Sequence, residues 1–490
     1  MNVDEEIIWD EYRQGQISWD ELYDIITGEL TEKGNIVKKI KQEILDKYRV
    51  LKYNKNDEII AVNCPRLAQC ILQEFYYNFI TVRDNKEIYY YEDGYYHPDG
   101  ETIIQHIAED LLDELCTTHR KNEVVGYIRD LNFIDRGCFD ERLNLLNLEN
   151  GVYNIKTNEL ISHSPDYLFL SKIPVVYDPD AKCPKILKFL NEVVYKHDIP
   201  VIQEFFGYCF YRKYHIHKAC MFLGEGKNGK STTIRLLDKL LGKYNISNKS
   251  LQSIVYDKFA SSSLYGKLAN ITADLSPRAI KQTGMFKMLT GEDQIDAEKK
   301  FRDSFSFTNY AKFLFSANTL PKADDQSYAY YRRWLLISFP NTFEGEKCNP
   351  NIFDEISDEI PGLFNWSIKG LKRLLKNGDF SYNKTVEEVM EQYRTMSDPI
   401  YAYVQEFIEQ KSGTSIIKQE LWGHYTKWCK KKKLPITPRN MLTQRLNEHL
   451  PEMKIGKVGP KGKNKPAYLN IAWKNPVTVS IGVEEQRLPC

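Results

Sequence analysis

"FLGEGKNGKSTTIRLLDKLLG", running from Phe222 to Gly242, decides how this chain is read. Within it Gly224, Glu225, Gly226, Lys227, Asn228, Gly229, Lys230 and Ser231 fit G-x-x-x-x-G-K-[ST] at every fixed position. Glycines without a Cβ let the backbone curl so that several N–H groups face a phosphate. Lys230 would set its ammonium against β- and γ-phosphates, and the Ser231 hydroxyl would help to hold Mg²⁺. "ACMFL", just ahead, is an apolar run of strand type. "STTIRLLDKLLG", beginning at Ser231 and Thr232, spaces Ile234, Leu237 and Leu241 along one helical face. Phosphates would therefore lie at a helix N-terminus, where free N–H groups and the macrodipole favour anions. The stretch predicts a strand–loop–helix unit that binds ATP with Mg²⁺. What the nucleotide drives is left open by the loop alone.

The chain has 490 residues, enough for about three domains, with 42% hydrophobic and 27% charged residues, as in ordinary globular proteins. No apolar run approaches a membrane span, and the first residues, "MNVDEEIIWDEY", are acidic rather than basic-then-apolar. The expectation is a cytoplasmic protein with no membrane partner. Its ten cysteines include no C-x-x-C pair and read as reduced thiols. Cys209, His215, His217 and Cys220 have a spacing compatible with a metal set. The plainer reading puts one cysteine in an apolar helix and one in the strand before the loop. Net charge is zero but unevenly spread. Lys411 to Lys474 holds fifteen Lys/Arg against three Asp/Glu, whereas Met1 to Leu30 holds nine Asp/Glu and Arg13 alone. A basic end on a neutral chain suits an anionic polymer, although a charge run is also what a solvated face looks like.

Patterning divides the chain into five parts. Residues 1–50 read as an acidic helical arm, in which "IWDEYRQGQ" and "SWDELYDIITG" share a W-D-E pattern. Residues 51–180 alternate strand-like runs with turn pairs such as Asp93-Gly94 and include one amphipathic helix, an α+β accessory domain. The ATPase region is expected over 181–395. In 396–476, helices around "KQELWGHYTKWCKKKK" and "TPRNMLTQRLNEH" precede two strand-like arms around a Lys/Gly/Pro tip, the pattern of a winged helix. Lys430 to Lys433, Lys457, Lys461, Lys463 and Lys465 would meet DNA phosphates. Residues 477–490 form a tail.

A P-loop ATPase also needs an acid at a neighbouring strand end. "GKLANITADLS" supplies a strand ending at Asp274, the second expected Mg²⁺ residue beside Ser231. "AKFLFSAN" ends in Asn318, a polar amide where a γ-phosphate could be sensed. "DDQSYAYYRRWLLISF" sets Arg332 and Arg333 before another strand, candidates for an arginine that reaches a neighbouring subunit's ATP. Between these, "MLTGEDQIDAEKKFRDSFSF" reads as a helix end, a turn and a hairpin with a charged tip.

In this order the motifs resemble those of superfamily 3 helicases, specifically the poxvirus-type NTPase and phage/plasmid primase–helicase family. The likeness spans nearly the whole chain and is far more specific than the P-loop alone. It implies an α/β fold with an AAA+-type P-loop core, a homo-oligomeric ring of six, and 3′→5′ unwinding of DNA for a virus, phage or plasmid. By resemblance, Lys230 and Ser231 bind phosphate and Mg²⁺, Asp274 is the Walker B acid, Asn318 the sensor and Arg333, with Arg332 beside it, the trans-acting finger. Lys299, Lys300 and Phe301 fall at the hairpin tip that grips single-stranded DNA, a cation for phosphate and a ring for a base; a solvated turn is the alternative. Two departures stand out. Ala273 replaces the first of the paired acids of many members, which brings Glu292 or Asp293 forward as the water-activating base. The first 50 residues are too few for a primase, so priming would fall to a separate replication protein. The alternative function is an ATP-switched DNA-binding initiator or scaffold.

Overall fold

The computed structural model describes residues 41–75, 78–224, 226–257, 259–273, 275, 280, 282–300, 303–318, 320–345, 348–432, 434–460 and 463–474. At its centre is a five-stranded, wholly parallel sheet. Its strands are β1 (Ala219–Leu223), β2 (Ile246–Ser247), β3 (Ala269–Thr272), then, after the hairpin pair β4 (Gln294–Ala297) and β5 (Phe305–Thr308), β6 (Lys312–Ala317) and β7 (Trp334–Ser338). The spatial order is β2-β3-β6-β1-β7. Strands buried on both faces must be apolar throughout rather than alternating, and every residue of β1 and β6 is buried. The sheet is consistent with a P-loop core.

Two helices, α1 (Ile199–Cys209) and α3 (Ile360–Asn377), pack on each other beside this sheet, while α2 (Lys230–Leu241) leaves the end of β1. Glycines set the α1–α3 approach. A Cβ on Gly207 would collide with the carbonyl oxygen of Ser367, and one on Gly370 with that of Gln203. Aromatic rings fill the other side of β7: Phe286 stacks on Trp334 at 4.8 Å, with Tyr330 and Tyr393 edge-on and tilted around it.

The N-terminal strands 79–82, 88–92, 95–97 and 133–134 form a mixed sheet beneath helices 64–74, 100–112 and 118–129, with a core of their own. The expected boundary at 180 does not coincide with a break in packing. Leu146, Leu148, Tyr153, Ile173 and Val175 belong to the same cluster as β1, so the small sheet at 145–161 is continuous with the core of the parallel sheet. A third core forms from Ile400 onward. There β8 (Ile408–Ile417), α4 (Lys418–Lys432), α5 (Arg439–His449), β9 (Lys454–Val458) and β10 (Lys465–Trp473) give an antiparallel sheet ordered β8-β10-β9 behind two helices. No helix among the described residues is long and apolar enough to cross a membrane.

Candidate nucleotide site and nucleic-acid faces

The loop after β1 needs conformations that side chains resist. Gly229 stands at φ +89° directly before α2, and a Cβ there would meet the Val193 side chain. The curled loop borders a cavity of about 470 Å³ lined among others by Phe189, Lys230, Ser231, Asn318, Phe343 and Ile352. Lys230 is buried, and its ammonium donates to Asn318 Oδ1 at 2.9 Å and to the Gly224 carbonyl. Asn318 follows β6, which lies between β1 and β3, so loop and amide come from adjacent strand ends. Asn228 is buried within the loop, Ser231 is exposed at the second residue of α2, and Thr232 is half-buried beside it. Lys227 points outward to Glu344 at 3.3 Å. Glu225 and Asp274 lie outside the described residues; Ala273, just before Asp274, lines the cavity. Positive-φ glycines, helix-terminal N–H groups, a lysine and a hydroxyl form a donor set that suits a triphosphate, and Ser231 is an oxygen of the kind Mg²⁺ takes.

Arg332 and Arg333 are not in this cavity. They precede β7, whereas Ser338, at its other end, pairs with Leu223 beside the loop. Five residues of strand separate them, about 17 Å at 3.3 Å each, so neither reaches its own chain's phosphates. The two differ sharply. Arg333 is buried, donating to Thr290 Oγ1 at 2.9 Å, to the Lys287 carbonyl at 3.2 Å and to the Ala329 carbonyl. This corrects the expectation that Arg333 reaches outward: its guanidinium is committed to its own fold. Arg332 is exposed and lines a cavity of about 570 Å³ with His215, His217, Lys218 and Lys384. Those two histidines border open space, while Cys209 and Cys220 are buried behind them. Glu292 and Asp293 also sit at this far end, next to His217. Glu292 pairs with Lys213 at 3.4 Å. A role for either acid as base in the same chain's ATP site is therefore corrected.

β4 and β5 form the expected antiparallel hairpin, with Ala297 opposite Phe305. Lys300 is exposed at its tip, and Phe301 lies outside the described residues. Lys299 is not available as expected for a DNA contact. Its ammonium is 2.9 Å from Glu87 of the N-terminal region, whose side chain is only 4% exposed. Burial would raise the Glu87 carboxyl, but Lys299 and Asn85 outweigh it and hold it low. Arg136 makes a second bridge here, bidentate to Asp84 at 2.8 Å and packed on the Phe305 ring at 4.3 Å. No sequence signal marks Glu87, because its partner lies 212 positions away.

In the C-terminal region Lys457 on β9 and Lys463 near the β9–β10 turn are exposed, as are Lys430, Lys431, Lys432 and Lys465; Lys433 and Lys461 lie outside the described residues. One contact from this region back to the parallel-sheet core was invisible in the sequence. Lys322, four residues beyond Asn318, lies 2.6 Å from Asp398 and 3.3 Å from Glu448, with His449 also on Asp398 at 2.9 Å. Asp398, Glu448 and His449 converge as metal ligands would, but the Lys322 ammonium already supplies their cation.

Comparison with known proteins adds three family matches. Residues 68–195 match the profile described as "D5 N terminal like", and residues 395–477 that described as "Poxvirus D5 protein-like". Residues 222–333, between them, match a family of unknown function. Among curated proteins, "Putative helicase 184R" of Invertebrate iridescent virus 6 is 23% identical over 310 residues, 59% of this chain and 30% of that protein. "Putative helicase 121R" of Invertebrate iridescent virus 3 is 28% identical over 142 residues, 26% of this chain and 15% of that protein. The matched stretches thus span less than a third of either relative. Among solved structures, an apo form of the NrS-1 C-terminal region superposes with a TM-score of 0.46 at 15% identity, covering 82% of this chain and 98% of that one. A second form gives 0.44 at 12%. With D5-type segments on both sides of the P-loop unit, the chain is similar to poxvirus D5-like proteins, the group that its motif order resembles.

Proposed function

We propose that the chain is an ATP-driven DNA helicase of the superfamily 3 type, built on an AAA+ core over about 181–395. An accessory region precedes the core and a winged-helix region, about 396–476, follows it. The observation that carries this reading is the Lys230–Asn318 contact. Two residues 88 positions apart meet at 2.9 Å beside a nucleotide-sized cavity, while the opposite end of β7 exposes Arg332.

Loop N–H groups bind the phosphates, and Lys230 exchanges its present acceptors, Asn318 and Gly224, for phosphate oxygens. That exchange frees Asn318 to orient the attacking water. Mg²⁺, held by Ser231 and Asp274, supplies charge neutralisation on the phosphate oxygens. Arg332, unable to reach its own site, stabilises transition-state charge at a neighbour's, which requires a ring, here taken as six copies moving 3′→5′. Lys300 engages the single strand of a forked substrate, and C-terminal lysines hold duplex. The setting is viral, phage or plasmid replication in host cytoplasm, with a separate primase as partner. Strand displacement on duplexes carrying a 3′ or a 5′ tail tests this. ATP-dependent unwinding of the 3′-tailed substrate, lost in Lys230→Ala, is expected. ATP hydrolysis without displacement on either tail would overturn it.

One observation favours the second reading, an ATP-switched initiator or scaffold: Lys299 is tied to Glu87 rather than offered to DNA. On that reading ATP changes assembly, and neutralising both hairpin lysines leaves DNA binding unaltered.

A further inference from the structure

α5 buries Leu442 and Leu446 against the C-terminal core and turns its opposite side to solvent. Asn440, Met441, Gln444, Asn447 and Glu448 are exposed there. Asn440, Gln444 and Asn447 fall at i, i+4 and i+7, one straight stripe of a helix. Among the described residues none of the three amides makes a side-chain hydrogen bond. Glu448, the acid on this side, is neutralised by Lys322 at 3.3 Å and Arg445 at 3.0 Å. Arg439, at the start of α5, is exposed over the Trp422 ring. Exposed lysines occur in the same region, Lys430 and Lys431 at the end of α4 and Lys454, Lys457, Lys463 and Lys465 on the β9–β10 arm.

Neutral amides add no charge to the attraction for phosphate, which the lysines provide without regard to sequence. An unpaired carboxamide does match one base edge: Asn or Gln pairs bidentately with N6 and N7 of adenine in the major groove. We propose that α5 reads sequence in duplex DNA, with Asn440 and Gln444 recognising adenines in the major groove while the exposed lysines of the same region hold the backbone. Four helical residues advance about 6 Å and a base pair about 3.4 Å, so the recognised adenines lie roughly two base pairs apart. Asn447 extends the reading by about one more pair. The chain thereby acquires a preferred loading sequence. The proposal deepens the reading of the C-terminal region as a duplex-holding element and rests on it.

The test is selection from a random duplex library with the full chain, without nucleotide, at moderate salt. Competition binding of the enriched and scrambled duplexes by Asn440→Ala and Gln444→Ala follows. Enrichment of a site with spaced adenines is expected. Each substitution should cut the preference for that site by about tenfold, for a discrimination of roughly 1–3 kcal/mol per bidentate pair. Affinity for scrambled duplex and ATP hydrolysis should stay unchanged. Duplex binding with no enriched sequence, or an enriched sequence that both variants still prefer, overturns the proposal and leaves the helicase reading standing. Failure to bind any duplex, with hydrolysis intact, overturns the duplex-holding role along with it.

Discussion

Lys299 and Glu87 form an ion pair with unequal sides, and the inequality predicts unequal costs of removal. Glu87 is 4% exposed and Lys299 30%. Replacing Lys299 with Ala strands a carboxylate that keeps neutral donors such as Asn85 at 3.2 Å and Tyr89 at 3.3 Å. Breaking a fully buried pair this way costs about 3–5 kcal/mol. With those remaining donors and the partial exposure of the lysine, roughly 2–3 kcal/mol is the expected cost. Replacing Glu87 with Gln leaves a lysine that can swing into water, at about 1 kcal/mol. The difference, on the order of 1–2 kcal/mol, is a factor of roughly 5–30 in the local opening equilibrium. Native-state hydrogen exchange over residues 79–92 and 294–308 measures it directly, since exchange reports local rather than global opening. Equal protection loss in the two variants, or greater loss in Glu87→Gln, would refute the account. If the hairpin also grips DNA, Glu87→Gln should tighten binding of single strands by releasing a cation.

Two further predictions concern the arginine pair and the junction with the C-terminal region. Arg332→Ala should abolish ATP turnover in the assembled protein without moving Tm. Arg333→Ala removes three internal hydrogen bonds and should lower stability by about 2–4 kcal/mol; thermal melts and turnover assays on both variants separate the two effects, and the reverse pattern would restore Arg333 as the reaching residue. Burial alone would raise the Asp398 carboxyl, but hydrogen bonds from His449 and Lys322 outweigh it and hold it at about 2. A depressed folded value means stability that is complete above the ordinary carboxylate range near pH 4 and is lost as pH falls towards 2. Lys322→Ala should move that loss to higher pH, as followed by the fluorescence of Trp422, Trp428 and Trp473.

The P-loop unit was legible because strand, turn and helix are contiguous and each residue type has a local reason. The same holds for the β4–β5 hairpin and for α4 and α5, whose apolar spacing is complete within a dozen or so residues. What the sequence left out depends on distance or on a single step of register. Arg332 and Arg333 are adjacent, and only the docked Thr290 turn settles which of them turns inward. Glu292 and Asp293 suited a base by residue type, yet the parallel strands carry them to the wrong end of the sheet. The boundary near 180 followed a change of composition, while packing joins the 145–161 sheet to β1 across that change. Residues 1–40 and 475–490, together with Asp274, Phe301 and Lys461, lie outside the described residues, so the readings made there stand as expectations.

The α1–α3 crossing also bears on how variation in this chain is interpreted. Gly207 and Gly370 press one helix backbone against the other, and even a methyl group has nowhere to go. In a survey of tolerated variants these two positions would accept as few replacements as Lys230, although neither lines the cavity beside the phosphate loop. Intolerance to change therefore reports two different things in this protein, chemistry at one end of the sheet and sheer lack of room beside it. Only the kind of failure tells them apart: a folded but inactive protein in the first case, and too little folded protein in the second.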